Sequence, residues 1–232
     1  MEWGKVKTIL IVSFLCLNLL LGAQLWDNRL KDFPLIPDEA AEQVAELLRE
    51  KGITLRHEIP KETPNVREIS IEFQIQNGKR TELVEPVSIL QSEARWRDRL
   101  KEYIPEIQEY AIDRTRSNER TIVLNQTFGG IPMFQVDLLL HVKDDRITAF
   151  NQSYAEVQPF RDQKEVAALS ALRVLEVMAE TKLKEGSVIE DMRLGYHGQL
   201  FDSDTQVLAP KWRITLENGD VYYVHAISGE ME

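Results

Sequence analysis

Apolar and polar positions divide the chain into one long apolar run followed by a succession of shorter periodic segments. From Val6 to Trp26 the sequence VKTILIVSFLCLNLLLGAQLW is almost wholly apolar. At about 1.5 Å per residue such a helix is roughly 31 Å long, the thickness of a bilayer's hydrocarbon core, so the run predicts a transmembrane helix. It exceeds the roughly 7–15 apolar residues of a secretory signal. No small-x-small cleavage site follows it, since Gly22-Ala23-Gln24 leads straight into Leu25-Trp26. The stretch therefore reads as an uncleaved anchor rather than a signal peptide. Lys5 and Lys7 on its N-terminal side place the N-terminus in the cytoplasm and export the remainder. Arg29 and Lys31 on the far side weaken that orientation, but Asp27 and Asp32 accompany them.

Beyond a connector at 27–36, Pro37 opens a helix from Asp38 to Lys51, with acidic residues in its first turn and Gly52 just past its end. Ala41, Val44, Leu47 and Leu48 form its apolar stripe. Ile53 to Ile59 reads as a strand. Residues 69–75, ISIEFQI, alternate strictly, and Asn77-Gly78 predicts a hairpin returning along Lys79 to Val84. Residues 89–112 read as helical, anchored by Trp96, Leu100, Tyr103 and Ile107, with a break at Pro105. The polar patch Asp113 to Arg120 is the candidate boundary between two lobes. Three strands follow, Thr121–Phe128, Met133–Val142 and Arg146–Tyr154. A two-residue turn at Asp144-Asp145 sets Val142 opposite Ile147 and Leu140 opposite Ala149.

Gln163 to Lys182 carries apolar residues around much of its circumference (Val166, Leu169, Leu172, Leu175, Val177, Met178), the mark of a buried helix packed on a sheet. Strands at Ile189–Leu200 and Val207–Leu216 come next. A closing hairpin with Asn218-Gly219 as its turn pairs Leu216 with Val221, Ile214 with Tyr223 and Trp212 with His225. The pattern predicts an α+β fold of antiparallel sheets packed with helices. Its organisation is a cytoplasmic start (1–5), the anchor (6–26), the connector (27–36), and extracytoplasmic lobes at 37–117 and 118–232. The helix-then-strands order at 38–84 and again at 163–227 hints at a duplicated unit.

Composition narrows the function classes. The chain carries a net charge of −10, and residues 1–26 hold Glu2, Lys5 and Lys7, so −11 remains on the exported part. That charge disfavours nucleic acid and anionic lipid as partners. The single cysteine, Cys16, falls inside the apolar run, which leaves the exported part without disulfide or thiol chemistry.

Candidate chemistry is sparse. His57, His141, His197 and His225 show neither HExxH nor HxH spacing, and His225, opposite Trp212 in the register above, is expected to pack. There is no nucleophile elbow, Walker loop or GxGxxG, and Gly129-Gly130 before Ile131-Pro132 reads as a turn. Glu190-Asp191 and the pair Asp202 and Asp204 carry no acid–base signal by themselves in so acidic a chain. Asp202-Ser203-Asp204 lacks the further oxygen ligands and glycine of a calcium loop. No catalytic residue, cofactor or metal site is expected.

One constellation within the anchor has physical content. Thr8, Ile11, Leu15, Asn18 and Gly22 follow a 3-4-3-4 spacing that puts them on one helical face. The Asn18 amide, away from water, either bonds a partner helix or its own backbone, and Gly22 lets two backbones approach. Such interhelical bonds contribute about 0.6–2 kcal/mol. Ile11, Leu15, Asn18 and Gly22 are therefore the candidate partner interface. Ser13, Cys16 and Gln24 make a second, weaker polar face.

The opening MEWGKVKTILIVSFLCLNLLLGAQLW resembles that of the YycI-type regulatory proteins of Gram-positive bacteria, where an acidic residue and Trp precede a basic, Thr-Ile-rich entry to the anchor and an Asn lies within it. Glu185 to Asp191, Leu194-Gly195-Tyr196, Pro210 to Ile214 and Tyr222 to Glu230 are similar to the end of the same family, and that end also looks like the PepSY-type module, whose last hairpin closes on Gly-Glu. His225 departs from it, a small polar residue such as Asn being expected there. The resemblance implies a regulator, not an enzyme. Such proteins accompany the WalK/WalR (YycG/YycF) two-component system of cell-wall metabolism, in the cell membrane, and associate with a YycH partner and the sensor histidine kinase partly through membrane helices. The family's C-terminal module shares a fold with domains of YycH. The rival reading is a PepSY-like binding module that inhibits or chaperones a peptidase, and it predicts activity without residues 1–26. An anchored hydrolase is a further rival, with no motif behind it.

Overall fold

The computed structural model describes residues 7, 10–14, 17–18, 37–159, 164–199, 201, 203 and 205–231. The chain clusters into two compact units, Met1–Ala45 and Glu46–Glu232. In the first, the described residues of the apolar run are helical, and Leu10, Ile11, Val12, Phe14 and Leu17 are each more than half exposed. The rest of the expected anchor lies outside the described residues, as do the cytoplasmic start and the connector. Among the described residues no helix is long and apolar enough to cross a membrane.

In chain order the elements are α1 (Pro37–Glu50), β1 (Thr54–Leu55), β2 (Asn65–Val66), β3 (Ile69–Ile75), β4 (Thr81–Ser88), α2 (Glu93–Leu100), a 3-10 turn (Ile107–Glu109), β5 (Tyr110–Asn118), β6 (Thr121–Phe128), β7 (Ile131–Lys143), β8 (Arg146–Gln152), β9 (Tyr154–Pro159), β10 (Val166–Ala167), α3 (Ala171–Thr181), β11 (Val188–His197), β12 (Thr205–Leu216) and β13 (Val221–His225). α1 stops as its sequence predicts: Gly52 takes φ 64°, and the Ile53 amide donates back to the Leu48 carbonyl at 2.8 Å.

The described residues are mostly sheet with few helices. Eleven strands form one sheet with the path β4-β8-β7-β11-β12-β3-β9, with β6 and β5 continuing outward from β7, β13 beside β12 and β1 beside β11. β2 and β10 pair separately. The expectation of purely antiparallel sheets is corrected: β11 runs parallel to β1 and, at Tyr196–Met133, parallel to β7. A parallel pair needs a long crossover connection, and the stretches of chain that separate β1 and β7 from β11 are long enough to supply one.

α2 covers one face of the β5–β6–β7–β8–β4 region, where Trp96, Leu100, Ile107, Leu124, Leu138 and Ile147 form a core. A second core joins β3, β7, β11 and β12 through Ile69, Ile71, Met133, Val136, Tyr196 and Leu208. α3 buries Ala171, Val174, Leu175 and Met178.

Several local expectations are overturned. β3 and β4 form no hairpin with each other, because β3 pairs with β9 and β12 while β4 pairs with β8. The Asn77-Gly78 turn instead docks on the β8–β9 junction. The Gly78 amide donates to the Gln152 carbonyl at 3.0 Å and the Asn77 amide to Ser153 Oγ at 3.2 Å. A Cβ on Gly78 would collide with that carbonyl, so the glycine serves close approach here. The helix expected over 89–112 is confined to α2, and Asp113–Asn118 belongs to β5. The long strand 146–154 is two strands that pair with different partners. The helix expected from Gln163 begins at Ala171, capped by the Ser170 hydroxyl, which accepts from the Arg173 amide at 3.2 Å. Just before it, the Leu169 amide donates to the Ala226 carbonyl at 2.7 Å and Trp212 Nε1 donates to the Leu169 carbonyl at 2.9 Å, so this backbone is committed to tertiary bonds.

Two registers also move. At Asp144-Asp145, Val142 does face Ile147, but a bulge then sets Leu140 opposite Phe150 and His141 opposite Ala149. In the last hairpin the Leu216 amide donates to the Asp220 carbonyl at 2.8 Å, so the turn encloses one residue more than Asn218-Gly219 alone. Pairing is then Ile214 with Tyr222, Arg213 with Tyr223, Trp212 with Val224 and Lys211 with His225. A slip of one residue exchanges the faces of a strand.

Candidate functional site

Of the residues expected to form the anchor face, Ile11 and Asn18 are helical and exposed, whereas Leu15 and Gly22 lie outside the described residues. The histidines are dispersed. His57 is exposed, His141 Nε2 contacts Asn151 Oδ1 at 2.6 Å, and His197 stacks on Tyr223 with ring centroids 3.8 Å apart. His225 does not pack opposite Trp212; it stands opposite Lys211. Glu190 and Asp191 lie in β11, and Asp202 and Asp204 are outside the described residues. Among the described residues no group of three or more His, Cys, Asp or Glu could hold a metal ion.

The hairpin register creates a polar seam that hydropathy did not disclose. On β12 the odd positions Lys211 and Arg213 share a face with Tyr223 and His225 of β13 and with Gly195 and Arg193 of β11. β5 meets this face. Arg213 Nη1 donates to Asp113 Oδ2 at 2.6 Å and Nη2 to Asp113 Oδ1 at 2.9 Å, a bidentate pair whose two side chains are at most 3% exposed. The Thr115 hydroxyl accepts from Arg213 Nη2 at 3.1 Å and donates to Asp113 Oδ1 at 2.8 Å. Arg193 Nη1 donates to the Ile112 carbonyl at 3.0 Å, and Asp191 stands 3.8 Å from Arg213.

Phe134 of β7 closes the seam. Its ring lies 4.4 Å from the Arg213 guanidinium carbon and 6.1 Å from the Tyr223 ring. Gly195 leaves space for that ring, since a Cβ there would overlap it. Arg116 borders the cluster, donating to Asp137 Oδ2 at 2.8 Å and to the Phe134 carbonyl at 3.4 Å.

Burial, the largest influence on the Asp113 carboxyl, pushes its pKa up. The bonds and charge of Arg213, with Thr115 and Arg116, outweigh it and hold the group below the usual carboxylate range. Burial raises the Tyr223 phenol above its ordinary value. Asp113, the deepest carboxylate of the seam, is thus committed as an ion, with both oxygens engaged. Chemically the seam couples β5 to β12 through this ion pair.

A separate cavity of about 160 Å³ opens between β4 and α2, lined by Val84, Glu85, Val87, Arg99, Glu102 and Tyr103. Its polar groups bond one another: Arg99 to Glu85 at 3.2 Å, and the Glu85 amide to the Tyr103 hydroxyl at 3.4 Å.

A family model described as YycI protein matches residues 70–227, which include β5, β12, β13 and the whole seam. Among curated proteins nothing matches the chain. A crystal structure of an uncharacterized protein from Eubacterium rectale ATCC 33656 is similar to the chain at 14% identity and TM-score 0.44, over 63% of this chain and 57% of that one. The chain therefore spans less than two thirds of that protein's length.

Proposed function

The chain belongs to the YycI family, whose match covers residues 70–227, and from that premise we propose that it is a membrane-anchored regulator of a WalK/YycG-type sensor histidine kinase, acting together with a YycH-like partner. The family is one of regulatory proteins of that two-component system, and this match is the observation that carries the reading. The proposed mechanism is a population shift. The anchor packs beside the kinase's membrane helices through Ile11, Leu15, Asn18 and Gly22, and association of the exported part with the YycH-like protein biases which helix arrangement prevails.

The test is co-purification. Tagged full-length chain, extracted from membranes in mild detergent, retains the kinase and the YycH-like protein, and a chain lacking residues 1–26 loses the kinase. Equal recovery of the kinase without residues 1–26 would favour a binding module that works from its exported part alone.

A further inference from the structure

The seam accounts for Arg213 and Tyr223 but leaves His225, the last residue of β13, which organises the chain's final turn. Its Nδ1 accepts from two successive backbone amides, Ile227 and Ser228, both at 3.2 Å. Its own amide donates to the Glu230 carbonyl at 2.7 Å, and its carbonyl accepts from the Gly229 amide at 2.9 Å. The turn so closed reaches both ends of α3. At the start, the Ala226 carbonyl accepts from the Leu169 amide at 2.7 Å, one residue before the Ser170 cap. At the end, the Thr181 hydroxyl lies 3.9 Å from Met231 Sδ, and Met231 bridges to Val224.

Two amide donors on one ring nitrogen require that nitrogen to carry a lone pair. Imidazole is the side chain whose charge ordinarily changes between about pH 5 and 8. The charged and titratable groups around it are Lys211, buried and directly opposite on β12, Tyr223 two residues back on the same face with His197 stacked on it, and Glu230, which accepts from the Ser228 hydroxyl at 3.3 Å. We propose that His225 is a proton-responsive latch: neutral, it closes the 226–230 turn against α3, and protonated, it releases that turn. Protonation turns Nδ1 from acceptor to donor and aims its hydrogen at two amide hydrogens, so both bonds that hold the turn are lost together. The latch is independent of which partner the protein binds.

Asn at this position is the informative variant, because its side-chain oxygen accepts from the backbone amide two residues on, as in an Asx turn, and does not titrate. The experiment is amide hydrogen exchange on the full chain at pH 7.5 and 5.5, corrected for intrinsic rates, with imidazole 15N spectra alongside. The latch predicts that protection at Ile227 and Ser228 falls about tenfold or more at pH 5.5 in the native chain and is retained in His225→Asn. It also predicts a 15N shift of an unprotonated Nδ1 at pH 7.5. Equal protection at both pH values in the native chain, an equal loss in His225→Asn, or a protonated Nδ1 at pH 7.5 would overturn it. The native chain's protection at the two pH values, read with its 15N shift, decides even where the variant fails to fold.

Discussion

Asp113 and Arg213, 100 positions apart in the chain, meet through two hydrogen bonds of 2.6 and 2.9 Å with both side chains buried. Removing one partner leaves the other's charge in the interior without compensation. Arg213→Met is therefore expected to cost about 3–5 kcal/mol of stability, read as a lower urea midpoint with unchanged slope. The double variant Asp113→Leu/Arg213→Met should lose less than the two single losses added together, because it leaves no orphaned charge.

The same pair sets an acid dependence. The Asp113 carboxyl is held below its ordinary value in the folded state, so the unfolded chain binds the proton more readily. Its contribution to stability is complete above the unfolded carboxyl value of about 4 and is lost as pH falls through the lower folded value. A series of melting temperatures from neutral pH downward should hold level to about pH 5 for this group and then decline. In Asp113→Asn that part of the decline disappears, whatever the variant's overall stability.

Gly195 stands beneath the Phe134 ring, which in turn faces Arg213. Gly195→Ala puts a methyl group where the ring sits, an overpacking that costs about 1–3 kcal/mol. Adding Phe134→Leu should recover part of that loss, since the smaller side chain leaves room for the methyl. Unfolding midpoints of the two variants check it.

How much of this was legible in the sequence depended on whether a residue's partner was local. β6 follows from the sequence at both ends, Thr121 and Phe128, and Gly52 marks the stop of α1, because alternation and a C-terminal glycine are local signals. β5 is hidden because Asp113 and Thr115 point into a seam made by a strand about 100 positions later; Asp113 looks like linker until Arg213 is beside it. The last hairpin is legible but one residue out of register, since a two-residue turn at Asn218-Gly219 leaves out the Leu216–Asp220 closure. That single residue turned His225 from a packing partner of Trp212 into a neighbour of Lys211. The Asn77-Gly78 signal misleads because the turn is real while the strand beyond it pairs with β8. The poor alternation of Lys79 to Val84 was the available warning.

The central claim is that the anchor contacts the kinase through one helical face. Its most direct measurement compares kinase recovery with tagged full-length chain carrying Asn18→Leu and Gly22→Leu against the native chain, at equal membrane abundance. Loss of the Asn18 amide bond, with a contribution of about 0.6–2 kcal/mol, together with the blocked close approach at residue 22, predicts a several-fold drop in co-purified kinase. Leucines placed instead at Ser13 and Cys16, on the second polar face, should leave recovery unchanged. Undiminished kinase in the Asn18→Leu/Gly22→Leu preparation would contradict the account.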